Sequence, residues 1–256
     1  MILPQNYEPL TCNACAEGAE LGFDFSMAFQ PIVNLNTKQV FAYEALARGL
    51  QNEPASQVLA QVHDQNRYRF DQVCRVKAVR LAAQLNMQTY LSINFLPNAV
   101  YRPETCIRTT LEASQTYGFP REKIIFEVTE GEKVENRAHL AEIFQAYKQM
   151  GFKTAIDDFG SGYSGLNLLA EFQPNIIKLD MNLVRHIDQD KTRRAIVAGV
   201  MTVCQAIGCE VIAEGIESRE ELQALRDLDI HLFQGYLFAK PTFEQLALLT
   251  SESFDL

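Results

Sequence analysis

Six short apolar runs in this chain each finish on a side chain that can hold a metal ion or move a proton. They are Tyr43-Glu44-Ala45-Leu46, Leu91-Ser92-Ile93-Asn94, Ile124-Ile125-Phe126-Glu127, Thr154-Ala155-Ile156-Asp157-Asp158, Ile176-Ile177-Lys178-Leu179-Asp180 and Val211-Ile212-Ala213-Glu214. A seventh, His231-Leu232-Phe233-Gln234, fits less cleanly. Short apolar runs bounded by polar residues read as buried strands. Segments of helix length, with apolar residues three and four apart, separate them. Strand–helix alternation of this kind predicts parallel strands joined by right-handed crossovers. Roughly eight such units in about 230 residues suit a closed barrel better than an open sheet.

The elements follow in order. Phe25 to Leu35 alternates like a strand, Asn34-Leu35-Asn36-Thr37 reads as a turn, and Val40 to Leu46 reads as the returning strand. The chain is therefore expected to open on a hairpin, leaving one barrel strand antiparallel. Helices are expected over 55–64, 69–85, 103–117, 137–150, 166–171 and 191–207. Another begins at Ser218, where Glu221 three residues on forms a capping box. Leu232 to Phe238 reads as the last strand and Thr242 to Leu249 as the last helix. The expected fold is α/β, a TIM-like (β/α)8 barrel with one antiparallel strand. Residues 1–24 read as an extension and 25–256 as a single domain.

The charge balance excludes some functions. With 23 basic and 32 acidic residues the net charge is −9, which argues against a duplex nucleic-acid partner, since that needs a basic face. No apolar run is long enough to span a membrane, and the N-terminal residues have no signal-peptide pattern, so a cytoplasmic protein is expected. The six cysteines then read as reduced thiols, with Cys74, Cys106, Cys204 and Cys209 filling apolar settings. Cys12-Asn13-Ala14-Cys15 has the spacing of half a zinc or redox site. No second pair or nearby histidine completes it, so it reads as an unligated pair, with zinc, a redox switch or an intermolecular disulfide as other readings.

In barrels of this type the chemistry sits at the carboxyl ends of the strands. Glu44, Asn94, Glu127, Asp157, Asp158 and Glu214 are expected there. Five carboxylates in one pocket repel one another, and several must take up protons unless cations compensate. Oxygen-only ligands favour Mg²⁺ or Mn²⁺ over zinc. Adjacent Asp157 and Asp158 suggest two ions with one carboxylate bridging them, an arrangement suited to in-line phosphoryl displacement. Any one of these acidic residues alone reads more readily as a solvated loop residue or a helix cap, and only the set points to a site. Lys178 faces inward by its period, either as a structural ion pair with Asp180 or to hold an attacking water.

At these residues the sequence resembles the EAL phosphodiesterase family, whose members cleave the bacterial second messenger cyclic di-GMP. The matching words are Phe29-Gln-Pro-Ile-Val33, Tyr43-Glu-Ala-Leu-Ala-Arg48, Ile93-Asn-Phe95, Phe126-Glu-Val-Thr-Glu130, Asp157-Asp-Phe-Gly-Ser-Gly-Tyr-Ser164, Ile177-Lys-Leu-Asp180, Ala213-Glu-Gly-Ile-Glu217 and Gln234-Gly-Tyr-Leu-Phe-Ala-Lys-Pro241. They run in family order over residues 25–245.

The resemblance implies that Glu44, Asn94, Glu127 and Asp157 hold one Mg²⁺ or Mn²⁺, and that Asp157, Asp158 and Glu214 hold a second. It implies that Lys178 contacts a nucleophilic water, that Glu217 orients Lys178, and that Gln234 bonds the water or a phosphate. Arg48 is then expected on a ligand phosphate, Gln30, Phe238 and Pro241 around a guanine pocket, and Asp71 on the guanine edge. Gln30 and Asp71 also have a purely structural reading. Glu130 is expected to anchor a loop linking the metals to a homodimer interface. Calcium is expected to inhibit, because it tolerates looser coordination.

The implied activity is metal-dependent opening of cyclic di-GMP to linear pGpG, regulated through the N-terminal extension, dimerisation or a protein partner. The alternatives are a non-catalytic receptor for the dinucleotide, or a protein-interaction module that binds none. The sequence departs from the family at Gly49-Leu50, where a large aromatic is common, over residues 51–70, at Asn175 for aspartate and at Ser161 for threonine.

Overall fold

A computed structural model describes residues 21–100, 102–129, 137–162 and 165–255. The chain opens with the expected hairpin of β1 (Ser26–Asn34) and β2 (Gln39–Arg48). Its turn is held by the Asn34 side-chain oxygen, which accepts from the Asn36 and Thr37 N–H groups at 2.9 and 3.1 Å. Six further strands follow: β3 (Tyr90–Asn94), β4 (Ile124–Thr129), β5 (Lys153–Phe159), β6 (Ile176–Leu179), β7 (Glu210–Ala213) and β8 (Leu232–Phe233). Neighbours from β2 to β8 pair in parallel, and β1 closes the ring by pairing antiparallel with both β2 and β8. The strands run almost without exposed positions, because helices cover one face and the barrel interior fills the other.

The helices begin and end on local signals. Asp190 caps Lys191–Ile207 by accepting from the Thr192 and Arg193 N–H groups at 2.9 and 3.1 Å. That helix stops at Gly208, whose φ of 69° lies in the left-handed region. Ser218 caps Arg219–Arg226 through the Glu221 N–H at 3.1 Å.

Four expectations fail, for tertiary reasons. The segment 103–117 is two helices, Pro103–Cys106 and Arg108–Tyr117, broken at the fully buried Ile107. The first expected helix closes early, at Leu59, where Asn66 ties the following loop back to His63 N and Gln61 O. The helix expected over 242–249 does not form. Thr242–Phe243 is instead a strand, β9, pairing with Ala28 and Phe29 of β1. The cause is the short β8, which reaches only Val33 and Asn34 of β1 and leaves an edge that the tail occupies. Residues 234–241 leave the barrel between these pairings, so the strand expected over 232–238 ends at Phe233.

One small apolar cluster fills the lumen of the barrel and positions the site. It comprises Ile32, Ala42, Ile125, Ala155, Ile176, Ile212 and Leu232, with Phe41 and Tyr90 packed against it. Side chains two residues apart on a strand share a face, roughly 7 Å further along. Two residues beyond these floor positions stand Glu44, Glu127, Asp157, Lys178, Glu214 and Gln234. On the antiparallel β1 the corresponding step runs backwards, from Ile32 to Gln30.

Candidate metal centre at the barrel mouth

The apolar floor thus carries a layer of polar groups. Glu44, Glu127, Lys178 and Gln234 are all less than a tenth exposed, so this layer lies down in the mouth rather than on an open rim. Glu44 sits inside β2, which continues four residues further, to Arg48, along its pairing with β1. The cavity above, of about 290 Å³, is lined by Gln30, Glu44, Asp157, Asp158, Glu214 and Gln234 among others.

Lys178 is the hub. Its Nζ lies 2.8 Å from Glu214, 3.0 Å from both Glu127 and Asp157, and 3.5 Å from Glu44. Asp180, the alternative partner expected from sequence, instead caps Met181–Val184 by accepting from the Asn182 N–H at 2.9 Å. Four carboxylates around one ammonium leave an excess of negative charge. Burial alone would push the Lys178 pKa down, but the surrounding carboxylates outweigh it and hold the group well above its ordinary value. Burial pushes Glu127 up, with Glu44 and Asp157 adding to it against the opposing pull of Lys178. Burial likewise raises Glu214 well above the ordinary carboxylate range. Asp158 rises to about 6 through burial and the nearby Asp157 and Asp180.

Consecutive residues on a regular strand point to opposite faces. Asp157 and Asp158 escape that rule through a bulge, where three residues of β5 span two of β6. Asp158 adopts the left-handed region at φ 53°, which Asp tolerates better than most residues, and its N–H donates to Asp157 Oδ1 at 3.0 Å. As a result two sets of carboxylates each bring ligand oxygens within 4.8 Å of one another: Glu44, Glu127 and Asp157, and Asp157, Asp158 and Glu214. Asp157 belongs to both. The hard oxygen donors and the uncompensated charge fit divalent cations.

Polar neighbours orient these groups. Asn94 Nδ2 donates to Glu44 Oε1 at 2.9 Å. Gln234 Nε2 donates to Glu44 Oε2 at 2.7 Å and to Gln30 Oε1 at 3.2 Å, which leaves the buried Gln234 Oε1 without a partner among the described residues. Gln30 Nε2 donates to the Ala239 carbonyl at 3.2 Å, so Gln30 clasps the 234–241 excursion. Gly235 makes the excursion possible, because a Cβ there would stand 2.1 Å from the Ile216 carbonyl oxygen. Ser92 was not singled out from sequence, yet its hydroxyl donates to Glu127 Oε1. The signal was present: Ser92 lies two residues before Asn94 on one inward face.

Other expected residues stand elsewhere. Glu217 is half exposed and pairs with Arg185 at 3.0 Å, so its carboxylate does not make the expected link to Lys178. Both oxygens of Asp71 are engaged, one by the Leu96 N–H at 2.9 Å and one by Arg75 at 2.5 Å. Asp71 and Asn94 line a second, mostly apolar cavity of about 270 Å³, which shares Leu46 with the first. Phe238 stacks on Phe233 in the core, and Pro241 is half-buried. Arg48 is half-buried and donates to the Ala47 carbonyl at 2.8 Å. Asn175 accepts from the Thr154 N–H at 3.0 Å through its side-chain oxygen, a bond the usual aspartate could also accept. Cys106, Cys204 and Cys209 are buried and Cys74 is half-buried. Glu130, Cys12 and Cys15 lie outside the described residues. Among the described residues no helix is long and apolar enough to cross a membrane.

The family model of the EAL domain matches residues 17–241. This chain belongs to the EAL domain family. Its fold has a TM-score of 0.88 to a standalone versatile EAL protein from Vibrio cholerae O395, solved in its c-di-GMP-bound form. That protein is 55% identical, and the match covers 91% of this chain and 99% of the other. The Klebsiella pneumoniae BlrP1 complex with manganese and cyclic di-GMP at pH 6 is 37% identical at a TM-score of 0.84, over 89% of this chain and 58% of that one. Among curated relatives, the blue light- and temperature-regulated antirepressor BluF of Escherichia coli is 31% identical over 89% of this chain and 56% of its own length. The cyclic di-GMP phosphodiesterase RocR of Pseudomonas aeruginosa is 34% identical over 65% of this chain and 42% of its own. The EAL chain therefore spans about half the length, or less, of these curated relatives.

Proposed function

We propose that this EAL domain hydrolyses cyclic di-GMP to linear pGpG and so lowers the level of that messenger in the bacterial cytoplasm. The observation that carries the reading is the pair of carboxylate sets sharing Asp157 above the buried Lys178. Glu44, Asn94, Glu127 and Asp157 would hold one Mg²⁺ or Mn²⁺, and Asp157, Asp158 and Glu214 a second. Bound there, the ions would offset the carboxylate charge and lower the pKa of the water that attacks phosphorus.

The chain's own groups supply the rest. The Lys178 ammonium orients the attacking water and is kept protonated by its carboxylates. Gln234 Oε1, a buried acceptor with no partner among the described residues, accepts a hydrogen bond from that water or from the ligand. Water adds across one P–O3′ bond: its oxygen joins phosphorus, and the 3′ oxygen leaves carrying a proton. Arg48 faces a phosphate of the ligand at the rim. The apolar cavity beside Leu46 takes a guanine, and the exposed Tyr236 offers a stacking face at the other side of the mouth. A homodimer, regulated through residues 1–24 or a protein partner, completes the proposal.

A second reading has one observation behind it: a relative of 31% identity is named as an antirepressor. In that reading the domain binds the dinucleotide and signals without turnover. Incubating the protein with cyclic di-GMP and Mn²⁺, then separating nucleotides by chromatography, distinguishes the two. Linear pGpG supports the enzyme, and bound but intact ligand supports the receptor. Calcium in place of Mn²⁺ is expected to give little product.

A further inference from the structure

Behind the metal centre lies a fully buried arginine that the proposed chemistry does not use. Arg75 has no exposed surface. Its Nη2 lies 2.5 Å from Asp71, and its Nη1 donates to the Tyr147 hydroxyl at 3.0 Å. The guanidinium sits 5.6 Å from the Phe95 ring centroid and 5.2 Å from that of Phe126. These two rings meet edge to face at 5.9 Å. Phe95 directly follows Asn94, and Phe126 directly precedes Glu127. Asn94 and Glu127 are in register, and the Phe95 N–H donates to the Glu127 carbonyl at 3.0 Å. Asp71 adds a third tie by accepting from the Leu96 N–H at 2.9 Å.

The contacts of this cluster at Phe95, Leu96 and Phe126 therefore end within two residues of a proposed ligand on β3 or β4, and Tyr147 braces Arg75 from the helix Arg137–Gln149. The cavity of about 270 Å³ beside Asn94 and Leu96 leaves that side of β3 without close packing, so the height of the strand end depends on ties from below. Stability is a poor explanation for the arrangement. A buried ion pair gains little over apolar residues of the same volume. Arg75 Nε also makes no hydrogen bond among the described residues, a cost that an apolar side chain would avoid. Being neutral as a pair, Arg75 and Asp71 add little net field at the carboxylates; what they supply is placement.

We propose that Arg75, held by Asp71 and Tyr147, is a positioning residue that sets Asn94 and Glu127 at the spacing one divalent ion requires. This rests on the metal reading above, and it assigns Asp71 to that scaffold rather than to a guanine edge. Outer groups that orient metal ligands typically change metal affinity by 10- to 100-fold when replaced, a range of roughly that size being expected here.

The test is Mn²⁺ affinity, measured without nucleotide by electron paramagnetic resonance of free Mn²⁺, together with kcat and KM for cyclic di-GMP at saturating Mn²⁺. Arg75→Lys and Asp71→Asn should weaken Mn²⁺ binding about 10- to 100-fold, and Arg75→Lys should leave KM unchanged. Tyr147→Phe removes one hydroxyl, keeps the core filled, and should weaken it in the same direction by less; it serves if the other variants do not fold. Val197→Ala, in the helical ring, should lower thermal stability without changing Mn²⁺ affinity. Arg75→Lys binding Mn²⁺ like the wild type would overturn the proposal, as would Asp71→Asn raising KM alone. A wild-type protein that binds no Mn²⁺ would overturn the metal reading, and this one with it.

Discussion

Replacing Lys178 by methionine tests the electrostatics of the mouth directly. The ammonium is fully buried with four carboxylates within 3.5 Å, so its removal leaves buried charges facing one another. Breaking a buried pair by deleting one partner costs about 3–5 kcal/mol. At roughly 2–4 °C per kcal/mol for a domain of this size, the metal-free melting temperature should fall by about 6–20 °C. The loss should depend on pH in a definite direction. Glu127, Glu214 and Asp158 have folded-state pKa values above their ordinary ones. Groups shifted that way contribute stability at low pH and lose it as pH rises through the folded value. Without the ammonium those carboxylates need their protons more, so the deficit should be larger at pH 8 than at pH 5. Scanning fluorimetry of both proteins in EDTA, and again with Mn²⁺, reads all of this. The metal should narrow the gap between variant and wild type. Equal melting temperatures in EDTA at pH 8 would refute the reasoning, because they would mean that the ammonium is not offsetting the acidic cluster.

Three other outcomes follow from the same geometry. Asp157 is common to both carboxylate sets, so Asp157→Asn should abolish the stabilisation by Mn²⁺, whereas Asp158→Asn should leave part of it; calorimetric titration distinguishes them. The wild-type shift in melting temperature on adding Mn²⁺ should grow from pH 5 to pH 8, since binding requires Asp158, at about 6, and the raised Glu127 to give up protons; a shift that shrinks over that range would contradict it. Gly235→Ala would set a Cβ 2.1 Å from the Ile216 carbonyl oxygen and push Gln234 off Glu44; a loss of about 1–3 kcal/mol in chemical denaturation is expected, with turnover falling as well.

Much of this was legible from one rule, the two-residue period of strands. Read forward from the apolar floor, it places Glu44, Glu127, Asp157, Lys178, Glu214 and Gln234 in one layer. It explains why the run ending at Gln234 belongs with the rest despite a strand only two residues long. It also reaches Gln30 and Ser92 once β1 is known to run backwards and Asn94 to stand one step higher. What the sequence hid depends on contacts between distant segments. Asp71 reads as a polar residue near a pocket, and only its ties to Arg75 and Leu96 show both oxygens engaged. Glu217 pairs with Arg185, a residue on another loop. The tail over 242–249 carries a helical pattern, but the open edge of β1 takes its first two residues, Thr242 and Phe243, as a strand. The bulge that turns Asp157 and Asp158 to one side is a register property, invisible in a string of letters.

The account stands most directly on one measurement: the purified protein, cyclic di-GMP and either Mn²⁺ or EDTA, with the nucleotides resolved by chromatography over time. Mn²⁺-dependent appearance of linear pGpG, absent with EDTA and absent in Glu44→Ala, is the predicted result. Cyclic di-GMP that is bound yet recovered intact at saturating Mn²⁺ would contradict it.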